Sequence, residues 1–144
     1  MEKLDRIPTL EDIQEAHEAI NHMIHRTPVL KCRSINDISG AKLFFKCENF
    51  QKVGAFKMRG ASSAVLRLTE EERSRGIATH SSGNHAQATA RAAKVLGIKS
   101  YIVMPANAPR IKMVATAGYG AEIIPCEPTL AARESTLADV QART

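Results

Sequence analysis

The chain has 144 residues, of which 44% are hydrophobic and 24% charged, and its formal net charge is +5. These values suit one soluble globular domain, and no apolar run approaches the ~20 residues of a membrane-spanning helix. The basic residues are dispersed among few aromatic ones, which argues against a nucleic-acid partner. The three cysteines, Cys32, Cys47 and Cys126, follow no metal-ligand or disulfide spacing. We therefore expect a cytoplasmic protein without a metal site in this chain.

The first part of the chain predicts a helix and a strand. Thr9 can cap a helix over residues 10–25, where apolar residues recur at helical spacing. Pro28 follows and biases the residue before it toward extended geometry. The run "AKLFFKCEN", residues 41–49, is apolar and aromatic and predicts a buried strand.

From residue 56 onward, helices and strands alternate. A helix is predicted over residues 56–68, and Thr69 then opens a short acidic turn, "TEEERS". Strands are predicted over residues 76–82, 99–105 and 121–126, each followed by a helix. This alternation predicts βαβ units, and so an α/β fold with a parallel sheet and flanking helices. No closing strand follows the last predicted helix, so we expect a truncated domain.

The segment "HSSGNHAQATA" places small and polar residues where a strand ends and a helix begins. The first amide groups of a helix lack partners and the helix end is positive, so an anion is favoured there. Ser82 offers a hydroxyl group, Asn84 an amide and His85 a group for proton transfer. A well-capped helix without any ligand is the alternative explanation of the same pattern.

Lys57 lies in the segment "FQKVGAFKMRGA", at the predicted start of a helix. The positive helix end and the apolar neighbours Ala55 and Phe56 both favour a neutral amine. A neutral lysine amine is a nucleophile that forms Schiff bases with aldehydes. The alternative is a surface lysine whose ammonium group reaches into water.

Taken together, these two segments resemble the fold-type II pyridoxal-phosphate enzymes, in particular the serine/threonine dehydratases and serine racemases. The segments "HRTPVL", "LFFKCENFQKVGAFKMRGA", "SSGNHAQA", "YIVMPANAPRIKM" and "GYGAEIIPCEPT" stand in the order that this family has them. The resemblance implies that Lys57 forms the Schiff base with pyridoxal 5'-phosphate. It also implies that Phe56 lies against the cofactor and that Asn84 hydrogen-bonds the oxygen of its ring hydroxyl group. The residues implied to hold the substrate carboxylate are Ser81, Ser82, Gly83, Asn84 and His85.

The implied reaction is dehydration or racemization of small β-hydroxy amino acids, such as L-serine, L-threonine or 3-hydroxyaspartate. Lys57 would remove the Cα proton, and loss of the β-hydroxyl group would give a 2-oxo acid and ammonia. Ser82 is the candidate for protonating the opposite face, as in the racemase branch, whereas the dehydratase branch often has alanine at that place. The sequence leaves open which reaction and which substrate are preferred. A nucleotide effector is not carried over, because Val53 replaces a hydroxyl residue at the matching position.

The family is about twice as long as this chain. The resemblance assigns residues 1–53, with the N-terminal helix and strand, to the larger domain and residues 54–144 to the smaller α/β domain. The family's glycine-rich phosphate loop and the ligands for a divalent cation lie beyond this chain, and a full-length enzyme is expected to be a homodimer. The chain could be a fragment, a truncated gene product or half of a two-chain enzyme, and we expect weak or no activity from it alone. The rival hypothesis is a non-catalytic small-molecule-binding or assembly domain.

Overall fold

The computed structural model describes residues 6–144 and contains a three-stranded parallel sheet, a two-stranded antiparallel pair and helices around them. The helices are α1 (Leu10–Ile20), α2 (Arg33–Ser39), α3 (Lys57–Leu66), α4 (Glu70–Arg75), α5 (Asn84–Val95), α6 (Arg110–Gly118) and α7 (Leu130–Arg143). The strands are β1 (Val29–Leu30), β2 (Phe45–Lys46), β3 (Ile77–His80), β4 (Ser100–Pro105) and β5 (Glu122–Cys126). The predicted α/β class is confirmed.

The parallel sheet has the order β3-β4-β5, with β4 in the middle. Ile77 pairs with Ser100, and Tyr101 pairs with Glu122. The connections are α5 and α6, because parallel neighbours need a crossover that returns the chain to the same end of the sheet. The three predicted strands are therefore confirmed, and their carboxyl ends lie at one edge of the sheet.

Helix α5 connects the two halves of the core. Ala88, Ala92 and Ala93 pack in a cluster with residues of α1 and α3. Ala86 and Ala90 pack in a second cluster with residues of β4. All five alanines are fully buried. Small side chains on both sides let α3 and the sheet approach α5 closely.

The N-terminal part differs from its prediction in two ways. The strand expected over residues 41–49 is only β2, which pairs with β1 and is exposed; Phe44 is 61% exposed. An apolar run indicates burial, but in the described residues these side chains stay largely exposed. Helix α2 was missed because it is short and its first turn has no side-chain cap; Gly40, in the left-handed conformation, ends it.

The helix boundaries also differ from the sequence prediction. Helix α1 ends at Ile20 and continues as a 3-10 turn to Met23, whereas the prediction ran to residue 25. Its predicted cap is confirmed, since the Thr9 hydroxyl group accepts the Asp12 amide and the Asp12 carboxylate accepts the Thr9 amide. The expected acidic turn after Thr69 is helix α4, which carries the same reciprocal cap. A threonine followed three residues later by an acidic residue signals such a helix start, and the turn prediction overlooked it.

Candidate active site

A cleft of about 490 Å³ separates the first turn of α3 from strand β3 and the start of α5. Phe56 and Lys57 line it from one side, Ile77 and Thr79 from the strand, and His85 from α5. The Nζ atom of Lys57 lies 5.4 Å from the centroid of the Phe56 ring. Lys57 is exposed and Phe56 is 62% exposed, although most of the side chains that line the cleft are apolar. The lysine faces an open cleft.

The chain reaches Lys57 through a tight and strained turn. Val53 and Gly54 both have left-handed backbone conformations, with φ of 59° and 66°. A β-branched residue in this region costs on the order of 1–3 kcal/mol, so neighbouring contacts must hold it there. The buried Gln51 provides two of them: its side chain accepts the His25 amide at 2.8 Å and donates to the His25 carbonyl at 2.9 Å.

The turn from β3 into α5 is extended backbone followed by an uncapped helix end. The Ser81 amide continues the sheet ladder by donating to the Val103 carbonyl at 3.1 Å. The Gly83 amide donates to the Ser81 hydroxyl group at 3.3 Å. Gly83 precedes the first residue of α5 and provides no side-chain cap, unlike the threonines before α1, α4 and α7. The start of α5 therefore keeps its positive end and free amide groups available.

The space in front of Gly83 is open. A Cβ atom built on Gly83 would meet only the Nζ atom of Lys112, at 3.8 Å, within ordinary contact distance. The protein's own packing therefore does not require a glycine here. A helix N-terminus with open space and an ammonium group at its border suits a carboxylate or another small anion.

His85 connects this turn to the cleft. The pKa of His85 lies below its ordinary value, first because neighbouring atoms partly shield its ring from water and then because of charge interactions with Lys57 and His80. The imidazole is therefore neutral near pH 7, with one ring nitrogen able to donate and the other able to accept. Lys57 and His85 line the same cleft, which accounts for this charge interaction.

The cleft brings together three of the residues singled out from sequence: Phe56, Lys57 and His85. The others, Ser81, Ser82, Gly83 and Asn84, adjoin the cleft along the chain but do not line it. Sequence reasoning missed Lys112 beside Gly83, because the two residues belong to different βα units and have no local pattern in common. It also missed the carboxylate of Glu48, which binds Arg59 two residues after Lys57.

The family described as "Pyridoxal-phosphate dependent enzyme" matches residues 20–144. The chain belongs to the pyridoxal-phosphate dependent enzyme family. The resemblance inferred from the lysine and asparagine segments is thus confirmed at the level of the family.

Relatives in this pyridoxal-phosphate dependent family include racemases and dehydratases. The chain is 55% identical to "Serine racemase" of Dictyostelium discoideum over 88% of this chain and 39% of the relative. It is 50% identical to "beta-hydroxyaspartate dehydratase" of Paracoccus denitrificans over 96% of this chain and 44% of the relative. The solved structure of maize serine racemase matches with a TM-score of 0.91 and 48% identity, over 94% of this chain and 41% of that one. The chain thus spans about two fifths of the length of these relatives.

The described residues fit pyridoxal phosphate in part. Lys57 presents an amine to the cleft, and the open space at Gly83 suits the carboxylate of an amino acid. The sequence contains no run of consecutive glycines that could surround a phosphate group. Among residues 6–144, no three His, Cys, Asp or Glu side chains are grouped to hold a metal ion. No helix in that range is long and apolar enough to cross a membrane.

Proposed function

We propose that this chain carries the lysine-bearing part of a pyridoxal-phosphate dependent dehydratase (ammonia-lyase) or racemase of small β-hydroxy amino acids. Suitable substrates are L-serine, L-threonine and 3-hydroxyaspartate. The observation that carries the proposal is the joint position of Lys57 and the uncapped start of α5 beside one cleft. The names of the racemase and hydroxyaspartate dehydratase relatives support the substrate class.

The residues of this chain divide the work between the two ends of an amino acid. When bound, pyridoxal phosphate supplies an aldehyde for the amino group and a ring that withdraws electrons from Cα. Lys57 would hold the cofactor through that aldehyde, and its amine would accept the proton from Cα. The amide groups at residues 81–85 and the positive end of α5 hold the carboxylate, so Cα is oriented toward the lysine.

The other polar residues of the site orient the reactants and exchange protons. Phe56 would pack against the cofactor ring, and the exposed Asn84 amide would hydrogen-bond its ring hydroxyl oxygen. Neutral His85 helps to bind the substrate carboxylate by donating from a ring nitrogen. Ser82 exchanges a proton with the face of Cα opposite to Lys57, which allows racemization, whereas loss of the β-hydroxyl group gives a 2-oxo acid and ammonia.

The proposal extends to the organisation of the enzyme. Residues 1–53 belong to a larger domain and residues 54–144 to a smaller one, and the exposed apolar face of β1 and β2 supports this division. A homodimer and a cytoplasmic location belong to the proposal as well; the three free cysteines support the latter. The chain alone has little or no activity, because its residues contain no glycine-rich phosphate loop.

Borohydride reduction tests the proposal directly. The purified chain is incubated with pyridoxal phosphate and reduced with borohydride, and the modified lysine is identified by mass spectrometry after digestion. We expect one cofactor per chain on Lys57. The Lys57→Ala variant should lose this modification, and the matched control Lys52→Ala should keep it. Modification scattered over many lysines, unchanged in Lys57→Ala, would refute the proposal and favour a non-catalytic binding or assembly domain.

A further inference from the structure

A partly buried network of charged and polar groups binds Arg59, two residues after Lys57. The Glu48 carboxylate accepts two hydrogen bonds from Arg59, from Nε at 2.9 Å and from a terminal nitrogen at 2.7 Å. It also accepts the hydroxyl group of the buried Thr27 at 2.6 Å. The Nζ atom of Lys46 completes the network by donating to the Thr27 carbonyl at 2.7 Å. The network joins the β1–β2 pair to the first turn of α3.

These contacts have the geometry of a strong interaction. Paired, charge-assisted hydrogen bonds between arginine and a carboxylate are short and fix the relative orientation of the two planar groups. The side chains of Arg59 and Glu48 are only 29% and 20% exposed, so water screens the pair less than it screens a surface pair. The Arg59 hydrogen bonds lower the pKa of Glu48 to about 2, so the carboxylate stays ionised at neutral pH.

The first turn of α3 needs such a contact, because its N-cap residue, Phe56, makes no side-chain cap. Successive residues of a helix point about 100° apart, so Lys57, Met58 and Arg59 leave the helix in three directions. Met58 is fully buried in the core, and Arg59 is bound to Glu48. Holding these two side chains fixes the rotation of the turn, and with it the direction of Lys57 into the cleft.

We propose that Glu48 is a positioning residue for Lys57: its paired bonds to Arg59, supported by Thr27, hold the first turn of α3 so that the lysine amine stays beside the start of α5. The importance of this for catalysis rests on the proposed function of Lys57. The claim that Glu48 holds the lysine amine in position does not depend on that function, and it can be tested without cofactor.

The pKa of His85 should report where the lysine amine lies, because both side chains line one cleft and the charge of Lys57 acts to lower this pKa. The chain has five histidines, and His85→Gln assigns the resonance in an NMR titration of the cofactor-free protein. Lys57→Met measures the full effect of removing the amine, which should raise the pKa of His85 toward its ordinary value. Glu48→Gln and Arg59→Lys should raise the pKa of His85 by at least about half as much as Lys57→Met does, because a lysine that is no longer held in place acts on His85 from a greater mean distance.

The direction of the change separates positioning from simple loss of charge. Removing the negative charge of Glu48 without moving Lys57 would lower the pKa of His85, since a positive surrounding disfavours the imidazolium ion. Arg59→Lys keeps the charge but loses the paired geometry, so it decides the question alone if Glu48→Gln does not fold. Asp12→Asn is the matched control, because Asp12 forms a similar paired contact with Arg6 at 2.6 and 2.7 Å on helix α1. It should leave the pKa of His85 unchanged.

The inference is overturned if Glu48→Gln and Arg59→Lys leave the pKa of His85 unchanged or lower it while Lys57→Met raises it. It is equally overturned if Lys57→Met has no effect, because the amine would then not be held near the imidazole. Failure of the proposed function would appear elsewhere, as the absence of a specific cofactor adduct on Lys57. If the pKa of His85 rises in these variants as expected but the parent chain forms no adduct on Lys57, the positioning role of Glu48 stands and the catalytic role of Lys57 does not.

Discussion

Replacing Gly76 with alanine should destabilise the fold strongly, because this glycine joins α4 to β3 at a place where a side chain has no room. Its backbone has φ 91° and ψ −173°, a combination that is essentially confined to glycine. A Cβ atom would lie 2.9 Å from the Lys99 carbonyl oxygen and 3.1 Å from Cε2 of Tyr101. The tyrosine ring can shift, but the carbonyl cannot, since it accepts the Ile77 amide at 2.9 Å in the first bond between β3 and β4.

The cost follows from these two effects. Holding alanine in this conformation costs about 1–3 kcal/mol. Weakening the bond between Ile77 and Lys99 adds about 1 kcal/mol. We therefore expect Gly76→Ala to lower the free energy of unfolding by about 2–4 kcal/mol, a large part of the stability of a small domain. Because β3 begins directly after Gly76 and leads into the Ser81–His85 turn, the substitution should also disturb that turn.

Urea denaturation monitored by circular dichroism measures this change in the free energy of unfolding, since the chain has no tryptophan for fluorescence. Gly60→Ala is the matched control, because Gly60 lies inside α3 and its added Cβ would meet nothing within 4 Å. That variant should gain about 0.5–1 kcal/mol from the higher helix propensity of alanine. If Gly76→Ala unfolds within about 0.5 kcal/mol of the parent, the steric and conformational argument is wrong.

Three further predictions follow from the site and the core. Gly83→Ala should keep the parent's stability within about 0.5 kcal/mol, because its methyl group would meet only Lys112. It should nevertheless weaken carboxylate binding in the cofactor-loaded chain about tenfold or more, as measured by L-serine titration. Unchanged binding would contradict the anion site. Ser62→Ala should stabilise the fold by about 1 kcal/mol in thermal unfolding, because the buried Ser62 hydroxyl group has no partner among the described residues; a loss of stability would reveal a missed contact. The free energy of unfolding should fall by on the order of 2 kcal/mol as the pH drops from about 4.5 to about 2, because Glu48 has a lower pKa in the folded state and the unfolded chain therefore binds the proton more readily. Acid titration of Glu48→Gln should show a smaller loss of stability. An equal loss would assign the effect to other carboxylates.

Local sequence patterns predicted most of the lysine-bearing half of the fold. The alternation of strands and helices after residue 56 and the cap at Thr9 are local signals, because each depends on residues a few positions apart. The rule that ligands bind at the carboxyl ends of parallel strands pointed to the turn between β3 and α5, whereas the pairing of that turn with Lys57 came only from the family resemblance. The specific roles of Ser82 and Asn84 remain predictions.

The remaining features depend on contacts between distant residues, which leave no local pattern. Glu48 and Arg59 are eleven positions apart and meet only because Gln51 and the left-handed Val53 fold the intervening turn back. The prediction of a buried strand over residues 41–49, where β2 is exposed, was wrong because apolar residues look alike whether or not the chain itself covers them. Lys112 reaches Gly83 across two βα units, which no spacing rule anticipates.

The alanine-rich helix α5 also limits how this family could diversify. Ala86 and Ala90 face one core cluster and Ala88, Ala92 and Ala93 the other, so a larger side chain on either face would force two packed layers apart, at a cost of about 1–3 kcal/mol for each overpacked position. Changes that adapt the site to a new substrate therefore cannot accumulate along the body of this helix. They are tolerated instead at the exposed Asn84 and His85 and in the loops that face them, where one substitution can alter recognition without disturbing the core.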